Sequence, residues 1–403
     1  MQCTHLSLVN FRNYVRLEID LDGEANVVIG ANAQGKSNLL EAIYCLATTK
    51  SFRAGSDREL ISWQATESEL SYARLSARVA RRSGPIRLDV VVGETARRGP
   101  GTPGPSATVT KRFKVNGVPK RAFDVIGLVN VVHFAPEDVD LVVGPPVGRR
   151  RYLDITIAQI DSRYVRALAR YGKVLLQRNH LLRRIRDHQA RSDQLGFWNE
   201  ELVNAGAYVV MRRHDTVARL ATLGHDVHRE LAGGQELLQI GYRSALAAPP
   251  SAGGADARLG AIGEAFRRAI DETRERETAL GASLVGPHRD DLTFEIDRRD
   301  VATYGSRGQQ RTVALALKMA EGAFIRESTG EWPILLLDDV MSELDEVRRG
   351  QVLGAVAPEQ QVIMTATELG SVDPQFLRRA KLFEVEAGAI RERLRVVEAR
   401  ASA

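Results

Sequence analysis

The sequence predicts an α/β protein with a mixed sheet, a phosphate-binding loop and a helical arm inserted between the two halves of the sheet. Three observations carry this. Gly30-Ala-Asn-Ala-Gln-Gly35-Lys36-Ser37 matches G-x-x-x-x-G-K-[ST] between the apolar run Ala25–Ile29 and an apolar-rich helix from Ser37 to Thr48. Ile334 to Leu337 is a fully apolar run that ends in Asp338 and Asp339, with Asp338 302 residues after Lys36. Between them, Tyr164, Leu168, Tyr171, Leu175, Leu182 and Ile185 recur at four- and three-residue steps.

Taken in order, the chain opens on strand-like alternation. Leu6 and Leu8 share a face, as do Val15, Leu17, Ile19 and Leu21. Tyr72 to Val118 reads as antiparallel strands, interrupted by a Gly/Pro-rich stretch from Gly93 to Ser106. Val125 to Phe134 is a further strand-like run. The row from Tyr164 to Ile185 is broken at Arg178, and Leu195, Trp198, Leu202, Ala205 and Val209 repeat it after the polar turn Gln189–Gln194. Two facing helices follow from this, a short arm of a few heptads. Pro249 to Gly254 marks a loose loop. Arg311 to Arg326 reads as a helix, and Val362 to Thr365 as a buried strand.

Composition narrows the class. The 403 residues are 44% hydrophobic and 27% charged, ordinary for a globular protein. No window approaches the roughly eighteen continuous apolar residues of a membrane span, and the N-terminus is too polar for a signal peptide. Cys3 and Cys45 lie in core-like patterns without metal spacing. A cytoplasmic protein is expected. The net charge is +5 with a pI near 9.3, a mild pointer to an acidic partner. Of 56 basic residues only eight are lysine, a skew that a GC-rich genome also produces.

The loop supplies phosphate chemistry. Backbone N–H groups of Gly30, Ala31, Asn32, Ala33, Gln34 and Gly35 can ring phosphate oxygens, and the helix start adds a favourable partial charge. Lys36 reaches the terminal phosphates and Ser37 can ligand Mg²⁺. Asp338 suits the metal, and Asp339 can orient or deprotonate the attacking water. Ser306-Arg307-Gly308-Gln309 precedes a helix; Ser306 serves as an ordinary N-cap or as a second phosphate-binding helix start.

With these motifs in hand, the chain resembles the RecF family, which groups with SMC and Rad50 proteins among the ABC-type ATPases. Leu8-Val-Asn-Phe-Arg-Asn-Tyr14, Gly35-Lys-Ser-Asn-Leu-Leu-Glu-Ala-Ile43, Thr49-Lys-Ser-Phe-Arg53, Pro136 through Asp154, Gly286-Pro-His-Arg-Asp-Asp291 and Ser342-Glu-Leu-Asp345 carry the resemblance over essentially the whole length. It implies an ABC-type ATPase head with residues 1–155 and 276–403 as its halves and 156–275 as the arm. It also implies ATP and Mg²⁺ as cofactors, with Arg12 and Asn13 near the base and Asn38 beside the P-loop. Ser306, Arg307, Gly308 and Gln309 would contact ATP held by a second copy, Asp345 would sit in the D-loop, and Thr365 and Thr367 would sense the γ-phosphate. ATP then closes a homodimer on double-stranded DNA and single-strand–double-strand junctions. Slow, DNA-stimulated hydrolysis reopens it. RecR- and RecO-type mediators are the implied partners in recombinase loading, replication and SOS induction.

Two features depart from transporter-type ABC heads and one from the usual RecF-like loop. Ala135-Pro136-Glu137 replaces a transporter-type glutamine, Thr365-Ala-Thr367 replaces a switch histidine, and Ala33 replaces the inner glycine of the RecF-like loop, which suits only φ < 0. The first two, with the long gap, disfavour the alternative of a transporter's nucleotide-binding subunit. The arm is too short for a long-armed SMC protein, and the segment after Asp339 too short for a nuclease domain. His288, Asp290 and Asp291 lack a further ligand at metal spacing. Arg81, Arg82, Lys111, Arg112, Lys114, Arg149 and Arg150 are the candidate DNA contacts, by way of the backbone and not the bases.

Overall fold

The computed structural model describes residues 1–66, 71–96, 107–246, 254–343, 346–354 and 356–393. The Gly93–Ser106 and Pro249–Gly254 stretches lie mostly outside the described residues, and so does Asp345. The fold separates into two compact units: Met1–Glu137 with Ile325–Ala403, and Asp138–Phe324.

Among the described residues, the first unit holds two six-stranded sheets, with strands numbered along the chain. One is antiparallel, in the order β2–β1–β4–β5–β6–β7. Its strands are β1 (Gln2–Phe11), β2 (Tyr14–Asp20), β4 (Tyr72–Ala80), β5 (Ile86–Ala96), β6 (Ala107–Val115) and β7 (Val118–Lys120). Burial alternates along β2 from Leu17 onward and along most of β4, as expected of a sheet with one covered face, while Val15, expected to share the face of Leu17, is exposed. The other runs β15–β14–β3–β13–β12–β8, comprising β3 (Ala25–Ile29), β8 (Val131–Phe134), β12 (Ile334–Asp338), β13 (Val362–Ala366), β14 (Ala380–Glu386) and β15 (Ala389–Arg393). All its pairs are parallel except β14–β15. Every residue of β3 and β13 is buried, which is why these segments read as apolar runs without alternation. Register then does the positioning. Ile29 pairs with Ala366 and Asp338 with Thr365, so the P-loop, Thr365 and the two aspartates emerge at one sheet edge.

The second unit contains a three-stranded antiparallel sheet of β9 (Leu238–Arg243), β10 (Asp291–Ile296) and β11 (Arg299–Asp300). Helices Ser162–Arg186 and Leu195–Leu231 form the expected hairpin. Asp161 caps the first, accepting from the Tyr164 N–H at 3.0 Å. A third long helix, Ala255–Leu280, lays Ile262, Phe266 and Ile270 against Tyr171, Leu202 and Val203. The unit is wider than the 156–275 arm expected from the sequence. Tyr152, Leu153 and Ile157 before the arm, and Leu292, Phe294, Val313 and Leu317 after it, share one core with Tyr164, Val209 and Leu220. Apolar burial, not chain continuity, sets this boundary.

Arg178, the residue that breaks the apolar row, is buried. Its Nη2 donates to Glu277 Oε2 at 2.6 Å, its Nη1 to Ser283 Oγ at 2.7 Å and its Nε to Asn199 Oδ1 at 2.8 Å. The ion pair is 1% exposed on each side. Among the described residues, no helix is long and apolar enough to cross a membrane.

Candidate functional site

The helix Lys36–Thr48 starts directly after Gly35, whose φ of 118° only glycine adopts readily. A side chain at Gly30 would meet the Val385 carbonyl at 2.4 Å, and one at Gly35 would meet Asn13 at 2.6 Å. Both glycines are therefore demanded by close backbone approach as well as by the loop's shape. Ala33 sits at φ 65°, so the expectation that this position avoids the left-handed region is overturned. An alanine there carries strain of about 1–2 kcal/mol. Arg12 and Asp339, beside this loop, also hold left-handed backbone, at φ 53° and 52°.

Lys36, Ser37, Asn38, Asp338 and Asp339, with Asn32, Ala33, Gly35 and Arg53, line a cavity of about 200 Å³. The Lys36 ammonium donates to the carbonyls of Gly30 at 2.6 Å and Ala31 at 3.1 Å. Burial lowers its pKa, against the pull of Asp339 and Asp338. Ser37 Oγ and Thr365 Oγ1 each donate to Asp338 Oδ1 at 2.8 Å, and Asp339 N donates to Thr365 Oγ1 at 2.9 Å. Thr365 is thus tied into the site, while Thr367 is exposed just past the strand end.

Arg12 and Asn13 brace this cavity and are not among the residues lining it. Arg12 clamps the buried Glu41 with two hydrogen bonds, at 2.9 and 2.7 Å. Burial opposes ionisation of Glu41, but Arg12, Ser51 and Arg53 outweigh it and hold the carboxyl below its ordinary range. Asn13 Nδ2 donates to the Gln34 carbonyl at 2.7 Å, and Asn38 Nδ2 to Asn13 Oδ1 at 2.5 Å. Three contributors escaped the sequence reading. Arg53, at the end of the Thr49–Arg53 stretch, donates to Glu41 and Asn38. Tyr14 OH donates to the Gly35 carbonyl at 2.9 Å. The β14–β15 turn grips the loop, with Ala387 N on Gln34 Oε1 at 2.6 Å and Gly388 N on the Gln34 carbonyl at 3.2 Å.

In the second unit, Ser306 and Gln309 form a reciprocal capping box on the helix Arg307–Thr329. Gln309 N donates to Ser306 Oγ at 3.2 Å and Ser306 N to Gln309 Oε1 at 2.8 Å. Ser306 and Arg307 are exposed, and Gly308 is half-buried. The stretches Pro136–Asp154 and Gly286–Asp291 meet here. Arg149 forks onto Asp291 at 2.7 and 2.9 Å, Arg150 Nη1 donates to the Asp290 carbonyl at 2.9 Å, and Arg213 joins Asp154 to the Pro287 carbonyl. His288 Nδ1 lies 2.6 Å from Tyr171 OH and its Nε2 3.1 Å from the Ser283 carbonyl. Burial pushes its imidazole down to about 4.

The candidate DNA residues divide. Arg149 is buried and bidentate with Asp291, so it does not face a nucleic acid. Lys111 is taken by Asp57 at 2.6 Å and the Thr49 carbonyl at 3.0 Å, and Arg81 donates to the Leu128 carbonyl at 3.0 Å. Arg82 donates to the Gly330 carbonyl at 3.2 Å. Arg112 and Lys114 are exposed on β6.

The chain matches the RecF/RecN/SMC N-terminal domain model over residues 2–386. It is 44% identical over 397 residues to the DNA replication and repair protein RecF of Chloroflexus aggregans, covering 97% of this chain and 99% of that one. It is 38% identical over 392 residues to the RecF of Bacillus subtilis, covering 97% and 100%. The solved structure of the recombination mediator RecF with ATP superposes with a TM-score of 0.83 at 30% identity, covering 98% of each chain. An Smc head bound to the winged-helix domain of ScpA gives 0.52 at 14% identity, covering 98% of each chain, a likeness of fold alone. An ABC-type ATPase head with the P-loop, the paired aspartates and a helical arm, matched nearly end to end by these relatives, places the chain in the RecF family.

Proposed function

We propose that the chain is an ATP-switched DNA-binding protein of replication and recombinational repair, which closes as a homodimer on DNA. The observation that carries this is the convergence of Ser37 and Thr365 on Asp338 Oδ1, beside Lys36 and under a glycine-built loop. A hydroxyl and a carboxylate at 2.8 Å, with a second carboxylate adjacent, are the hard oxygen donors that suit Mg²⁺. The Lys36 ammonium now rests on loop carbonyls, so it is placed to turn to a phosphate. Bound with Mg²⁺, ATP supplies a cleavable phosphoanhydride.

The residues have distinct tasks. Lys36 and the loop N–H groups hold the phosphates, while Ser37 and Asp338 present oxygens to the metal. Asp339, tied through its backbone to Thr365, orients water. Asn13, Tyr14 and the β14–β15 turn keep the loop's shape. Ser306 Oγ spends a lone pair on the capping box and keeps its hydroxyl proton, which suits a phosphate brought by a second copy. Double-stranded DNA and its single-strand junctions, with RecR- and RecO-type mediators, are the partners in this reading.

Sedimentation with ATP and gapped duplex is the test. ATP should convert monomer to dimer on DNA, and Ser306→Arg should bind ATP yet stay monomeric. A Ser306→Arg variant that dimerises normally removes the signature assignment. A DNA-bound monomer with ATP removes the clamp.

A further inference from the structure

Arg81, Lys111, Arg149 and Arg150 are consumed by internal partners, and exposed positive charge gathers elsewhere. The three long helices of the second unit offer an internal comparison. Leu195–Leu231 carries four arginines against five carboxylates, and Ala255–Leu280 five against six. Ser162–Arg186 carries eight arginine or lysine residues and no carboxylate. One of the eight, Arg178, is buried against Glu277, and the other seven are exposed.

Arg166, Arg170, Lys173, His180 and Arg184 follow one another at helical spacing, and all are exposed. At 100° per residue they fall within about 40° of one line, opposite the buried side chains of Tyr164, Tyr171 and Leu182. At 1.5 Å per residue the line is about 27 Å long, the axial length of about eight base pairs. Its members keep internal ties as well: Arg170 reaches Glu201 and Arg184 bonds the Gln189 carbonyl, and both side chains remain exposed.

We infer that this outer face of the arm's first helix is a rail for the phosphate backbone of double-stranded DNA. Four long cations, Arg166, Arg170, Lys173 and Arg184, with His180 between them, on a helix that carries no carboxylate of its own, match a uniform polyanion. An acidic protein partner calls for an apolar centre, and among the described residues no exposed large hydrophobic lies on this line, Leu176 being exposed about 80° to its side. The inference rests on the DNA-binding reading above and adds where the strand lies.

The test uses the full chain with ATP and a labelled random-sequence duplex, titrated by anisotropy between 50 and 200 mM NaCl. Arg166→Ala/Lys173→Ala/Arg184→Ala should weaken binding roughly tenfold or more and reduce the salt slope by about 2–3, one step per lost phosphate contact. Alanine favours helix, and unchanged ATP binding and circular dichroism verify that the variant is folded. Arg268→Ala/Arg276→Ala, on the charge-balanced helix, should leave both quantities nearly unchanged. If the unmodified chain does not bind duplex, the DNA-binding reading and the rail fall together. If it binds and the triple variant matches it in affinity and slope, the rail alone is overturned and an acidic protein becomes the face's partner. Equal losses from the Arg268/Arg276 control also overturn it, by showing a general charge effect.

Discussion

At the P-loop edge and between the arm helices, polar groups from distant parts of the chain meet, half-buried in the first place and fully buried in the second. Ser37 and Asp338 are 301 residues apart, and Arg178 and Glu277 are 99 apart. The more distant pair was the foreseeable one. A phosphate loop with its lysine and hydroxyl requires a carboxylate at the end of a buried strand, so its motif prescribes the partner's type and place. Arg178 interrupts an apolar row, and nothing local says whether such a residue faces solvent or a buried acid. Sequence distance is therefore less of an obstacle than the absence of a chemical rule linking the two ends.

The sharpest way to break the comparison is at its buried pair. Arg178→Met strands Glu277 in the seam and should lower unfolding free energy by about 3–5 kcal/mol, measured by urea denaturation. Adding Glu277→Gln removes the charge while keeping the Leu284 N–H partnered, and should recover part of the loss. If Arg178→Met is neutral, the seam is not held by this pair.

At the P-loop, the expected loss is functional. Lys36→Met should weaken ATP binding by about 2–3 kcal/mol, on the order of a hundredfold, with little change in stability. Equilibrium binding of a fluorescent ATP analogue measures this.

His288 gives a pH test of the second unit. Its folded pKa is about 4 against an ordinary 6.5, so the native state excludes a proton that the unfolded chain takes up. Its contribution is present above about pH 6.5 and is lost as pH falls towards 4. His288→Gln should flatten that part of the stability profile, and an unflattened slope would place the titration elsewhere.

The smallest effect is expected at Ala33. Ala33→Gly relieves left-handed strain of about 1–2 kcal/mol and concedes up to about 1 kcal/mol of chain entropy. A net gain of about 0.5 kcal/mol should appear as a slightly raised melting temperature, and a lower one would mean the alanine methyl is needed.

Several features were legible because their physics is local. The Ala25–Ile29 run is of the kind a buried strand gives, the glycines before Lys36 mark close backbone approach, and the heptad steps from Tyr164 to Ile185 give the arm hairpin. The charge asymmetry of Ser162–Arg186 was also present in the residues, but its single line of exposed cations appears only when the helix boundaries and the buried face are known.

By itself the sequence determined the phosphate-loop motif with its strand-end aspartates, the paired arm helices and the RecF resemblance, since each follows from a short-range pattern or a motif with a required counterpart. Only the tertiary structure decided which charges are spent. It turned Arg149 and Lys111 inward to Asp291 and Asp57, buried Arg178 on Glu277, held Ala33 left-handed and used the β14–β15 turn to brace Gln34. A side chain's charge is written in the chain, but whether it meets water or a buried acid depends on packing between segments that no local rule connects.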